Sequence, residues 1–334
     1  MKVAFKGTGL ALFLVFGAGI AAANPIINVS YDPGVGFTVG DKTAIQDAID
    51  FYTSNITNNF TLNVVFGSQA GGGATSIKFA GSLSYNDYYN ALVTDSSGDA
   101  TDVSALASLG GSPLVVDNPV TGSSQVNVTT TLGNVLGLES NASTVWSQCG
   151  GLSGNACIDL GLDDLNLGGS PVAGLMGIVQ HEFNEVLGTS SALPNSGGTQ
   201  PTDPSAADLF RYTSSGVRGF SQNTSTSFPC SGTPTAYLSV DGGITNLDNY
   251  NNCNNGGDYG DWYCDDGSQV QCFAGPGTVA ASMILGSPEV QLLDAVGYNF
   301  ATPTATPEPA SVALMMIGLA AIPVLRRRSK AKNG

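Results

Sequence analysis

Hydrophobic positions recur along this chain with two periods, and the changes between them mark its elements. Ile26 to Tyr31 reads as a first strand. Lys42 to Ser54 carries Ile45, Ala48, Ile49 and Tyr52 at helical spacing and predicts an amphipathic helix. Phe60 to Phe66 returns to alternation, with Leu62 and Val64 on one face. A turn at Gly71-Gly72-Gly73 precedes a second helix over Ser84 to Val93. Gln125 to Thr131 and Cys157 to Leu162 read as strands. The clearest element is a helix over Val172 to Leu187, where Val172, Leu175, Met176, Val179, Phe183, Val186 and Leu187 form one stripe. Pro171 suits its first turn and Gly188 its stop. Beyond it lie a short strand over Ala236 to Val240, a long Asn/Asp/Gly loop from Asp241 to Gly267 and a closing helix over Ser287 to Gly297. Strands and helices mix before the long helix and loops dominate after it, so the pattern predicts an α+β fold of two lobes around a cleft.

The two ends follow different rules. Lys2 and Lys6, the apolar run Leu10 to Ile20 and Ala21-Ala22-Ala23 give residues 1–23 the order of a secretory signal peptide, cut after Ala23. At the other end, residues 301–309 form a Pro/Thr linker ending in Pro307-Glu308-Pro309. Residues 310–334 follow, with an apolar run to Leu325 and then Arg326-Arg327-Arg328-Ser329-Lys330. That run is marginal for crossing a bilayer core of roughly 30 Å, and the basic cluster would hold its end in the cytoplasm. Together these features resemble the PEP-CTERM sorting signal. The resemblance implies a bacterial chain processed by signal peptidase and by an exosortase-type enzyme. It also implies delivery to the cell envelope or extracellular matrix, with membrane attachment only through the C-terminal transmembrane helix.

Residues 24–300 remain as the body, long enough for a real core. Its basic residues are Lys42, Lys78, Arg211 and Arg218, within a chain holding 26 Asp and Glu. So acidic a surface repels nucleic acid and anionic lipid headgroups and favours cations. All six cysteines lie in this body, which in an exported chain predicts disulfides. Cys149 with Cys157 is the local pairing, and the other four would staple Phe228 to Phe273. A cysteine-ligated zinc site is the weaker reading, because no CxxC pair exists. The Asp241 to Asp266 loop has oxygens enough for calcium, but it follows no known calcium spacing, and a plain surface loop explains it better.

Candidate chemistry concentrates on the long helix, in His181-Glu182-Phe183-Asn184-Glu185-Val186-Leu187-Gly188. His181 is the sole histidine, and Glu182 and Glu185 are two of the body's four glutamates. Positions i and i+4 stack on a helix, so His181 and Glu185 can reach one metal ion. Glu182 is turned by about 100° from His181 and can serve as general base rather than ligand. A solvated polar helix face is the alternative account of these three residues.

This segment resembles the metzincin-like helix pattern H-E-x-x-H-x-x-G of the zincin metallopeptidases, in a variant with Glu185 at the second histidine. A variant exported bacterial family of this kind also carries segments like Asp208-Leu209-Phe210-Arg211-Tyr212, Asp258-Tyr259-Gly260-Asp261-Trp262 and Leu292 to Tyr298. The resemblance implies a zincin-like two-lobed catalytic domain with a central HExxE helix. Its expected metal is zinc or another divalent cation, and its expected substrate is a protein or peptide. The metzincin third-ligand position is occupied by Ser191, a poor ligand, so Asp208 is the candidate third ligand. A cap or a salt bridge to Arg211 is an equal reading of Asp208. Ser282-Met283 resembles the Met-turn of that family, although a core methionine explains it as well. Tyr212 and Tyr259 are both open as oxyanion stabilisers. Two carboxylate ligands would cancel the charge of a divalent ion and weaken its Lewis acidity. The expected function is therefore an exported metal-dependent peptidase, set against a non-catalytic envelope or exopolysaccharide-matrix protein with a degenerate zincin fold.

Overall fold

The structure is a computed structural model that describes residues 24–110, 120–139, 143–165, 174–193, 203–219, 236–251, 258–264, 268–272 and 281–301. The segment read as a signal peptide, the segment read as a C-terminal sorting tail with residues 302–309 of its linker, the helix start at Val172, and Cys230 and Cys253 lie outside the described residues. The fold is mixed α+β.

Its main sheet is built from β1 (Ile26–Tyr31), β2 (Thr61–Gln69), β3 (Ala74–Lys78) and, much later in the chain, β8 (Ala156–Gly161), in the order β1-β2-β8-β3. The first three strands in that order run parallel, while β3 is antiparallel to β8 and forms an edge. Helix α1 (Val39–Asn55) crosses between β1 and β2. Thr38 and Asp41 close its N-terminus as a reciprocal capping box, which satisfies two backbone donors otherwise left without partners.

Side-chain parity divides the sheet's two faces. Phe66, Ile158 and Ser76 share one register level, and Val64, Ala156 and Lys78 share another on the same face. That face meets α1 and α5 (Leu175–Asn184) in the main core, where Ile45, Ile49, Tyr52, Val179 and Phe183 are fully or almost fully buried. Val65, Cys157 and Ile77 point to the opposite face. There they pack with Phe79, Trp146 and Cys149 beneath the hairpin of β6 (Thr144–Trp146) and β7 (Leu152–Gly154). The Cys149–Cys157 disulfide pins this second core, in agreement with the local pairing read from the sequence.

The remaining elements support the site from below and behind. β4 (Ala80–Ser84) pairs with β5 (Gln125–Thr129), flanking α2 (Tyr85–Asp95), α3 (Ala100–Ser108) and the short α4 (Thr130–Val135). A small antiparallel sheet joins β9 (Arg211–Ser214), β10 (Val217–Arg218), β11 (Tyr237–Leu238) and β12 (Asp248–Asn249). Helix α6 (Pro288–Val296) begins at the Ser287 cap with Pro288 in its first turn. No helix among the described residues is long and apolar enough to cross a membrane.

Candidate metal and catalytic centre

Helix α5 is held in place before it is functional. The Tyr52 hydroxyl on α1 lies 2.7 Å from Asn184 Oδ1 and 3.0 Å from the Gln180 carbonyl, and the Met283 backbone N–H donates to Gln180 Oε1 at 2.9 Å. Met283 is buried with its sulfur 3.0 Å from that same tyrosine oxygen. It therefore packs under the α5 flank that carries Gln180 and Asn184. After Asn184 the helix widens into one π-type turn, Glu185–Thr189, a form frequent at functional sites. Gly188 ends it with φ 122°, a conformation that side-chain-bearing residues rarely adopt, and an added Cβ would stand 3.1 Å from Leu132. The α-helical reading of Val186 and Leu187 is corrected here: both are buried, but in the π turn.

His181 and Glu185 come together as their spacing requires, and the third group is Asp261. One ligand atom from each of the three lies within 4.8 Å of the other two. His181 Nδ1 sits 3.0 Å from the Val270 carbonyl oxygen, to which it donates, so in the neutral imidazole Nε2 is the acceptor nitrogen, and the Gln271 side-chain amide stands 3.4 Å from it. Nε2 stands 3.3 Å from Asp261 Oδ1. Two ligands of a tetrahedral zinc ion, each about 2.0 Å from it, are separated by roughly 3.3 Å, so this pair already has the required spacing. Gln271 Nε2 donates to the same Asp261 oxygen at 3.2 Å and orients it. Glu185 Oε2 accepts from Ser76 Oγ at 2.5 Å and from Lys78 Nζ at 2.9 Å.

Asp208, the sequence candidate for third ligand, belongs elsewhere. Its carboxylate accepts the Ser191 hydroxyl at 2.6 Å and the backbone N–H groups of Ala192 and Ser205, each at 2.9 Å. Those bonds fasten the chain leaving the helix, so Asp208 acts as the capping residue of the alternative reading. The carboxylate that does approach His181 and Glu185 lies more than fifty positions further on, at Asp261. Two local features put Asp261 in place. The Cys264–Cys272 disulfide closes a loop that begins three residues after Asp261, and just before that loop Trp262 bridges to Cys272 and donates its backbone N–H to the Gln271 carbonyl. Gly260 passes so close to the post-helix chain that a Cβ would meet Ser191 N at 2.9 Å.

Glu182 and Glu185 line a cleft of about 540 Å³ together with Ser76, Lys78, Leu193 and Tyr259, while His181 and Asp261 approach Glu185 without being among its lining residues. Tyr259, one of the two tyrosines open as oxyanion stabilisers, reaches the cleft, whereas Tyr212 stacks under the Arg218 guanidinium. Burial pushes the Glu182 carboxyl up to about 7; His181 and Lys78 lower it, while Glu185 and Asp261 raise it further. Burial also opposes a charge on His181, but Asp261, then Glu182 and Glu185, outweigh it and raise its pKa well above the usual imidazole value. Burial would raise Glu185 too, yet Lys78 and His181, with hydrogen bonds from Ser76 and Lys78, bring it below its ordinary value. Three buried carboxylates on one turn and loop thus create a demand for positive charge. A proton on His181 meets part of it, and a divalent cation on His181, Glu185 and Asp261 fits the same donors. In the Asn-rich loop considered for calcium, Asp241 is engaged by Ser239, Ile244 and Thr245 in a turn of its own.

No family model, curated protein or solved structure matches this chain.

Proposed function

We propose that the protein is an exported metal-dependent peptidase with a zincin-like two-lobed architecture, acting on extracellular or envelope protein. The carrying observation is the convergence of His181, Glu185 and Asp261 beside a cleft into which Glu182 faces. Zinc, or another divalent cation, would be held by those three side chains. When bound it would lower the pKa of water towards roughly 7 and polarise the scissile carbonyl. Glu182, poised near neutrality, takes the proton of the attacking water and delivers it to the leaving amine. Within the described residues β3 pairs on one side only, so its outer edge can take up an extended peptide as an added strand. Two disulfides fit a chain that folds in an oxidising compartment, as the signal peptide and the PEP-CTERM-like tail require.

One observation favours the second reading, a non-catalytic envelope or matrix component. Glu185 already has a cation, the Lys78 ammonium, without any metal. Zinc content and proteolysis of an unfolded protein substrate by the purified chain separate the two. The peptidase reading predicts zinc lost in His181→Ala. In Glu182→Gln it predicts zinc retained and hydrolysis reduced by roughly 10²–10⁴-fold. Undiminished hydrolysis in Glu182→Gln would refute it.

A further inference from the structure

The ligand set raises a charge problem whose answer stands on the neighbouring strand. A neutral imidazole and two carboxylates bring two negative charges to a divalent ion, cancelling the charge on which Lewis acidity depends. Of the body's four basic side chains, Lys42 lies over the Tyr31 ring, Arg211 over Tyr250 and Arg218 over Tyr212. Lys78 is the one that reaches the centre. Its ammonium group is 2.9 Å from Glu185 Oε2 and 2.8 Å from Ser76 Oγ, and Ser76 donates to that same carboxylate oxygen. Ser76 and Lys78 are two positions apart on β3 and therefore share a face, while Ile77 between them is fixed into the second core beneath Trp146. The strand thus presents two donors to one oxygen of Glu185 and leaves Oε1 for an ion.

Resting on the peptidase reading, we propose that Lys78 is a positioning residue that supplies the missing positive charge. Hydrogen-bonded to Glu185 Oε2, it limits that carboxylate to ligation through one oxygen and keeps the centre electrophilic despite two anionic ligands. Such a residue weakens metal binding while strengthening the metal's effect on water, so removing it should tighten zinc binding and at the same time make the attacking water harder to deprotonate. A residue needed only for structure would not do this.

The test compares the parent with Lys78→Met and Lys78→Arg. Zinc affinity is read by chelator competition, and the acid limb of the kcat/KM profile is followed against pH. Lys78→Met should bind zinc roughly tenfold or more tightly, and its acid limb should move up by about one pH unit. Lys78→Arg, which keeps the charge, should stay near the parent in both. If Lys78→Met proves unfolded by circular dichroism, Lys78→Gln repeats the test with a neutral side chain that still hydrogen-bonds. Unchanged or weaker zinc binding in the neutral variants, or an unmoved acid limb, overturns the role of Lys78 alone. A parent protein that takes up neither zinc nor another divalent cation overturns the peptidase reading and this role together.

Discussion

Asp261 and Asp208 make opposite predictions, and the pair of Asn variants tests the geometry most sharply. Asp261 Oδ1 stands at tetrahedral-edge spacing from His181 Nε2, so Asp261→Asn removes an anionic ligand from the ion itself. One unit-charge interaction at about 4 Å with an effective dielectric near 20 amounts to ~4 kcal/mol. Even half of that is more than tenfold in affinity, and zinc binding should fall by roughly 100-fold or more. Asp208→Asn instead weakens bonds to Ser191, Ala192 and Ser205, a loss of about 1–3 kcal/mol in stability with zinc affinity unchanged. Chelator competition measures the first effect and urea unfolding of the metal-free protein the second. Zinc lost in Asp208→Asn and kept in Asp261→Asn would refute the assignment of the third ligand.

Two further outcomes follow from named contacts. Replacing Cys264 and Cys272 with serine frees the chain that carries Asp261, so stability should fall by about 2–3 kcal/mol and zinc affinity should fall with it. The Cys149–Cys157 bond closes a loop of the same separation on the far sheet face, and its replacement by two serines should lower stability without weakening zinc; equal losses of zinc in both would contradict the account. Asp294 on α6 is pushed up to about 8 by burial and by Asp99 and Asp102 at the start of α3. A folded-state pKa above the unfolded one means that the folded chain holds the extra proton between about pH 4 and pH 8. Stability from this group therefore declines as pH rises through that window, by up to ~1.4 kcal/mol per unit. Asp294→Asn should flatten the decline in urea titrations at about pH 5 and 8, and an unchanged slope would exclude this origin.

How far the sequence carried depended on whether a residue's neighbours were local. The strand β1, the body of α1 and the α5 stripe from Leu175 to Phe183 are set by periodicity within one segment and stand where the pattern puts them, while the stripe's last positions, Val186 and Leu187, fall in the π turn. The pairing of His181 with Glu185 needed only helical geometry. Strand β3 escaped notice because Ala-Thr-Ser-Ile-Lys shows no clean alternation: its inward positions are polar groups serving the site, not core. Helix α3 was missed for a related reason, since its stripe consists of small residues, although Asp99 is a legible cap. In the sequence Asp261 stands only as one residue of the Asp258 to Trp262 segment, with nothing local that marks it as a ligand. Its approach to His181 depends on a disulfide, on the close passage at Gly260 and on a long loop, none of which has a period. Asp208 is nearer to the helix in the chain, but its short return path caps the post-helix loop and does not reach the helix face.

The central claim is that one divalent ion is held jointly by His181, Glu185 and Asp261. Zinc-edge anomalous diffraction from crystals of the zinc-loaded protein tests it directly. The account predicts a single strong peak within about 2.0–2.2 Å of His181 Nε2 and of one oxygen each from Glu185 and Asp261. A peak on Asp208, or none at the helix while Lys78 remains the sole cation on Glu185, would contradict it.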